Sequence, residues 1–285
     1  MRRSAFALLL FLAACQTSSL TGRSQYLLVS EQTAVSQSAA AYVQMMGELD
    51  KKKKVEAGTE REKKVREITD RLVAQAVRVR PDAKGWAWEV KVIDDPKTVN
   101  AFCMAGGKMA IYSGMWEKLK ATDDEIAQVM GHEIAHALAD HTRERMSIAM
   151  TSAAVTTAAA VAITVAGGDE RAGLALTGAQ LASVLAIQLP NSRESEAEAD
   201  QIGIELAARA GYDPKAAVTL WQKMGKEGGG PPEFLSTHPS PQNRATRLAE
   251  LGARVQPLYD AARAGKTVEG DRLITFPRKL SLIHI

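Results

Sequence analysis

His132 and His136 stand four residues apart, with Glu133 beside the first. On a helix, positions four apart project from one face, so both imidazoles can offer a nitrogen to a single divalent ion. A carboxylate next to them can take a proton from water activated there. The chain around these residues must then be helical. Thr122-Asp123-Asp124-Glu125 has the form of a capping box, with Thr122 as N-cap and Glu125 at the third helical position. Ile126, Val129 and Met130 follow on one face, and the spacing predicts that the histidine pair lies inside this helix. Zinc suits the donor set. Catalytic zinc sites have three protein ligands and one open position, so two histidines make an incomplete site.

The third ligand belongs on a second helix. Pro190-Asn191-Ser192 supplies a start signal, Gly211 a C-terminal cap, and Asp213-Pro214 the opening of the next helix. Glu194, Glu196 and Glu198 all lie in its first turns, and spacing alone does not choose among them. A metzincin would carry Gly and a third His at set places after His136; Ala139 and Thr142 occupy those places, which disfavours that class. His141, five residues past His136, is turned away from the metal face by helical geometry and reads as structural.

Gly131 to His136, followed by Ser192-Arg193-x-x-Glu196-x-x-Ala199-Asp200, resembles family 48 of the metallopeptidases, the gluzincin group that includes HtpX, the CAAX prenyl proteases and BepA. The similarity runs from about Ala87 to Leu251 and is nearest to the periplasmic lipoprotein proteases of that group. It implies a zincin-like domain that hydrolyses peptide bonds with one Zn²⁺ per chain. His132, His136 and Glu196 would be ligands, Glu133 the base, and Asp200 the acceptor that fixes the tautomer of a ligand imidazole. His238-Pro239 and Arg244 are similar to the family's His-Pro-x-x-x-x-Arg element. The resemblance leaves His238 as a plug in the open metal position, as a stabiliser of the transition state, or as a loop-packing residue; Arg244 would hold the loop or a carboxylate. Asn100-Ala101-Phe102 and Gly106 to Tyr112 resemble the family's strand beside the cleft. That implies Lys108, Met109, Ala110, Ile111 and Tyr112 as an edge to which an extended polypeptide substrate adds, with a plain core strand as the alternative.

Around these motifs the pattern is helices, then a small sheet, then helices, an α+β arrangement that is mostly helical. Two helices broken near Ala57-Gly58 occupy Ser30 to Arg80, and Trp86 to Ile93 alternates as a strand does. Arg2 and Arg3 precede a short apolar run ending in Leu12-Ala13-Ala14-Cys15, which resembles a lipobox. It implies a signal peptide over 1–14, lipidation of Cys15 and membrane attachment through that anchor. Gln16, where an Asp would retain the protein, implies the periplasmic side of the outer membrane. Residues 15–29 then read as a tether, 30–84 as N-terminal helices packed on the protease domain, 85–255 as the zinc domain and 256–285 as an extension.

Removing the signal lowers Lys plus Arg from 36 to 34 against 33 acids. Such a balance excludes the basic face that nucleic acid requires. Cys103, left without a partner, reads as a buried hydrophobe. The nearly uncharged stretch 147–190 is rich in Ala and Thr, which favours a packed helical hairpin over a membrane hairpin. Gly228 to Pro232 reads as a lid. The substrates implied are misfolded or unassembled envelope proteins. The alternatives are an auto-inhibited assembly factor on the same fold, working with envelope assembly machinery, and a structural lipoprotein that binds no metal.

Overall fold

A computed structural model describes residues 15–153, 191–226, 233–238, 243–266 and 272–276. The segment read as a signal at 1–14, most of the apolar stretch, the segment Gly228 to Pro232 read as a lid and the last residues of the extension lie outside the described residues. Among the described residues no helix is long and apolar enough to cross a membrane.

The segment read as a tether begins with an antiparallel hairpin of β1 (Cys15–Thr17) and β2 (Ser24–Tyr26). Helix α1 (Glu31–Lys51) starts where the Ser30 hydroxyl accepts the Thr33 N–H, and α2 (Glu60–Val79) where Thr59 accepts from Glu62. Gly58 lies between them at φ +72°, so the chain breaks where the sequence places the break.

Strand β3 (Glu89–Ile93) begins three residues later than the alternation suggests. Pro81–Gly85 forms a 3₁₀ turn, and the Trp88 indole donates to Ala83 O at 2.9 Å, so Trp88 closes that turn while both tryptophans pack against the core that holds Val90 and Val92. β3 pairs in parallel with β5 (Lys108–Tyr112), which pairs antiparallel with β4 (Ala101–Met104), giving the order β3-β5-β4. This corrects the sequence reading of Lys108, Met109, Ala110, Ile111 and Tyr112 as an edge. They form the central strand, with both sides taken by neighbours, and the outer strands are Ala101–Met104 and Glu89–Ile93, the latter bridged at Ile93 by Val55. Tyr42 and Met46 of α1 cover one face of the sheet, over Ile93 and Ala110. Val90, Val92, Met109 and Ile111 join the main core on the other.

After the short α3 (Gly114–Glu117), helix α4 (Asp123–Leu138) opens with both halves of the capping box between Thr122 and Glu125. Its residues from Glu125 to Leu138 are all buried, and it is the axis of the molecule. Asp140 at φ +57° turns the chain into α5, residues 141–153. Helix α6 (Arg193–Arg209) crosses α4 backbone to backbone: a Cβ placed on Gly203 would stand 2.7 Å from His132 N and Cα. Helices α7 (Ala216–Lys226), α8 (Glu233–Thr237) and α9 (Arg244–Arg263) complete the set described. The α9 helix runs through Pro257, so the boundary expected at 255 falls inside it. Residues 272–276 return to α6, where the buried Glu205 carboxylate accepts from the N–H groups of Ile274 and Thr275. The observed architecture is α+β, mostly helical, with a small sheet, as the sequence predicts.

Candidate metal centre

The α4 helix places His132 and His136 one turn apart, and their Nε2 atoms face each other at 3.1 Å. Glu196, in the first turns of α6, brings Oε2 to 3.3 Å from His132 Nε2 and Oε1 to 3.3 Å from His136 Nε2. Ligands bound to one zinc in a tetrahedron stand about 3.3 Å from each other, given bonds near 2.0–2.1 Å. The three edges therefore fit one ion. Glu196 is wholly buried, and its Oε1 has no hydrogen-bond partner among the described residues. A buried carboxylate is costly unless a cation meets it, so the donor set fits a divalent metal.

The groups behind the imidazoles fix which nitrogen is free. Asp200 Oδ1 lies 3.1 Å from His132 Nδ1, and although burial raises the Asp200 carboxyl, Arg244 and His132 hold it below its usual range. Ionised, it only accepts, so His132 Nδ1 donates and its Nε2 is turned toward His136 and Glu196, where a metal could bind. On the other ring, His136 Nδ1 meets His141 Nδ1 at 2.8 Å, and His141 Nε2 meets Glu198 Oε2 at 2.9 Å. Burial holds His141 below the imidazole range, while His141, Thr21 and Arg23 outweigh burial to hold Glu198 ionised. His141 Nε2–H must then donate to Glu198, its Nδ1 accepts from His136 Nδ1–H, and His136 also presents a bare Nε2. Burial lowers His132, yet Asp200 and Glu196 pull it up to about 9. The point between the rings thus attracts a cation, and a metal bound there displaces a proton.

Glu133 follows His132 on α4, and burial pushes its carboxyl up to about 8. A base near neutrality suits proton transfer from water. His238 Nε2 stands 3.3 Å from Glu133 Oε1, and its Nδ1 lies 3.0 Å from Phe234 O, where it donates. Phe234 of α8 stacks on the His238 ring at 4.3 Å. One donor atom from each of His132, His136, Glu196 and His238 falls within 4.8 Å of the others. Arg244, the first residue of α9, lies over the Trp221 ring and spans two carboxylates, reaching Glu196 Oε2 at 3.2 Å and Asp200 Oδ1 at 2.6 Å.

A cleft of about 350 Å³ opens between the β4 edge and α4, lined by Phe102, Cys103, Glu133, His136, Arg145 and His238 among others. Of the five residues expected to line it from the strand, only Tyr112 does. The structure thus brings together His132, Glu133, His136, Glu196, Asp200, His238 and Arg244, and leaves Lys108, Met109, Ala110 and Ile111 apart. Cys15 is exposed in β1, and Cys103 is buried. His141 lies outside the group of atoms that could share an ion and backs His136, a structural place reached by another route than the one expected: α4 ends at Leu138, so helical spacing does not turn it away. Glu198, a rival for the ligand position on spacing, serves His141. Trp221, Phe234 and Arg145 carry no motif, and nothing in the local sequence marks them.

A family model described as peptidase family M48 matches residues 59–252, a span that already includes α2. The mitochondrial metalloendopeptidase OMA1 of Arabidopsis thaliana is 39% identical over 191 residues, 66% of this chain and 37% of that protein. A putative beta-barrel assembly-enhancing protease of Vibrio cholerae is 34% identical over 179 residues, 59% of this chain and 37% of that one. The beta-barrel assembly-enhancing protease of Escherichia coli is 30% identical over 164 residues, 56% of this chain and 34% of that protein. The chain spans about a third to a half of the length of the curated relatives it matches.

Proposed function

The chain belongs to peptidase family M48, the zinc-dependent metallopeptidases, and on that premise we propose that it is a zinc endopeptidase of the bacterial envelope. In this reading it is anchored by lipid at Cys15 on the periplasmic side of the outer membrane and acts on misfolded or unassembled proteins there. The observation that carries the hydrolase reading is the convergence of His132, His136 and Glu196 with Glu133 beside them. Bound zinc would supply Lewis acidity, polarising the peptide carbonyl and making water acidic enough to ionise near neutral pH. Glu133 takes the proton of the attacking water and returns it to the leaving amine. Asp200, and Glu198 through His141, hold the two imidazoles in the ligand tautomer, while Arg244 keeps the two α6 carboxylates it spans in place. The Ala101–Met104 edge, facing the cleft, is where an extended polypeptide would add as a strand.

The names of the bacterial relatives support envelope substrates, and those of the mitochondrial relatives support endopeptidase chemistry without the address. A second reading, an auto-inhibited assembly factor, draws on the place of His238 Nε2 beside Glu133 and among the ligand atoms. Purified chain beginning at Cys15 is expected to cleave unfolded casein, to stop when a chelator removes zinc, and to stop in Glu133→Gln with zinc retained. A wild type that holds zinc but cleaves nothing, even as His238→Ala, refutes the protease and leaves the assembly role. Absence of zinc from the purified protein refutes both.

A further inference from the structure

The segment between the anchor cysteine and α1 is not a free tether. Gln25 is buried and its amide donates to Ala139 O at 2.6 Å, just past the end of α4. Arg143 Nε donates to Val29 O at 2.6 Å, and Val29 N–H to the Ser147 hydroxyl at 3.0 Å. Residues 23–29 therefore lie along the turn from α4 to α5, directly behind the metal ligands. The half-buried Arg23 side chain adds a second set of contacts. Its guanidinium grips Glu144 of α5 with two nitrogens, at 3.0 and 2.6 Å, and its Nε donates to Glu198 Oε2 at 2.6 Å.

That Glu198 oxygen is the one that accepts from His141 Nε2, and His141 Nδ1 is the atom that receives the His136 Nδ1–H. A continuous chain of short polar contacts thus joins Arg23 to a metal-facing imidazole. Each link restricts the next. A carboxylate pinned by a guanidinium has one orientation, an imidazole donating to it has one tautomer, and the ligand ring behind that imidazole has one rotation about its axis. His132 has its own support within the catalytic core, from Asp200 and Arg244. His136 depends on a residue outside it, eight positions from Cys15.

We propose that Arg23 is a positioning residue of the metal centre, acting through Glu198 and His141 on His136, so that the docked N-terminal segment is part of the zinc site. The inference rests on the zinc reading above and goes beyond it by assigning a role to a residue outside the family match. Its consequence is that the anchor-proximal segment and the metal are energetically linked: whatever lifts that segment from the α4–α5 turn loosens the zinc, and zinc in turn holds the segment down.

The test compares the chain from Cys15 onward as wild type, Arg23→Gln, Glu198→Gln and the double variant. Zinc affinity is measured by competition with a chromogenic chelator, and thermal unfolding is followed without metal. Groups that orient a metal ligand typically contribute 10–100-fold in affinity, so Glu198→Gln is expected to fall in that range and Arg23→Gln near its lower end, about 10-fold. The double variant should be no weaker than Glu198→Gln alone, because both changes break one chain. Equal zinc affinity in wild type and Arg23→Gln overturns the proposal, as does a lower melting temperature without metal and unchanged zinc binding, which makes Arg23 a plain brace. Losses that add in the double variant overturn it too. A wild type that binds no zinc brings down the metalloprotease reading itself, a result distinct from all of these.

Discussion

Gly203→Ala separates what local propensity predicts from what the helix crossing requires. Within a helix, Gly to Ala is worth about 0.8–1.0 kcal/mol of added stability on propensity alone. At Gly203 the new Cβ would lie 2.7 Å from His132 N and Cα and 2.9 Å from Gly131 C, all of them backbone atoms that cannot rotate away. Carbon atoms in contact prefer about 3.5–4.0 Å, so α4 and α6 must part by roughly 0.8–1.3 Å. Such overpacking costs about 1–3 kcal/mol, which leaves a net loss of about 0–2 kcal/mol after the propensity gain. The metal site is less forgiving. Ligand distances hold to within about 0.2 Å, and this displacement is several times larger, acting between His132 on one helix and Glu196 on the other. Zinc affinity is expected to fall by more than about 10-fold, while the chain without metal stays folded in a denaturant titration. Gly47→Ala, in α1 with nothing within 4 Å of its added Cβ, is the control and should gain about 0.5–1 kcal/mol without touching zinc. A Gly203→Ala protein that is more stable than wild type and binds zinc equally well refutes the reasoning, because the backbone contact would then not exist.

Three further outcomes are expected. Arg244→Lys, whose single ammonium cannot span Glu196 and Asp200 as the guanidinium does, should lose about 10–100-fold in zinc affinity by chelator competition. Burial raises the Glu125 carboxyl, but Lys223, Thr219 and the Thr122 N–H outweigh it and hold it below its usual range. Its contribution is therefore present above the unfolded carboxyl pKa, about 4.3, and lost as pH falls through the lower folded value. The stability gap between wild type and Glu125→Gln, measured by urea unfolding, should be widest near pH 6–7 and close in acid. Tyr42→Phe, which deletes a buried hydroxyl donating to Met109 O at 2.9 Å, should cost about 1 kcal/mol or somewhat more in unfolding and leave zinc affinity unchanged.

Sequence reading succeeded where the governing interactions are local. The Thr122–Glu125 box, the Ser192 N-cap and the break at Gly58 each depend on residues within four positions, and each appears in the structure. It failed where distant segments decide. Which strand is the edge depends on β3 pairing with β5 across the intervening β4, and a run such as Lys108–Tyr112 has the same composition in either place. The reading of His141 assumed a helix that continues, yet the chain leaves α4 at Leu138 and passes Asp140 in a left-handed conformation. An Asp tolerates that conformation better than most residues, which is the one available sign of the turn. Arg23 was invisible for a different reason: its partners lie more than a hundred residues away, and the polar stretch around it has the composition of a linker.

The three acids that spacing could not rank are best understood together. Glu194 is exposed, whereas Glu196, Glu198 and Asp200 are buried and each meets a histidine. Glu196 and Asp200, four apart, share the α6 face that looks at α4. One reaches the front of the imidazole pair and the other the back of His132. Glu198 lies off that axis, where the histidine it meets is His141, the ring behind His136. A helix presenting one carboxylate to the imidazole pair and one behind each of its rings concentrates negative charge in the core, and such charge persists there only if cations answer it. Among the described residues Arg244 answers the Glu196–Asp200 pair and Arg23 answers Glu198, from opposite ends of the chain, while donor atoms of His132, His136 and Glu196 converge on one point. A divalent ion completes that balance, so the same electrostatics that make α6 costly to bury also make the site selective for a filled state.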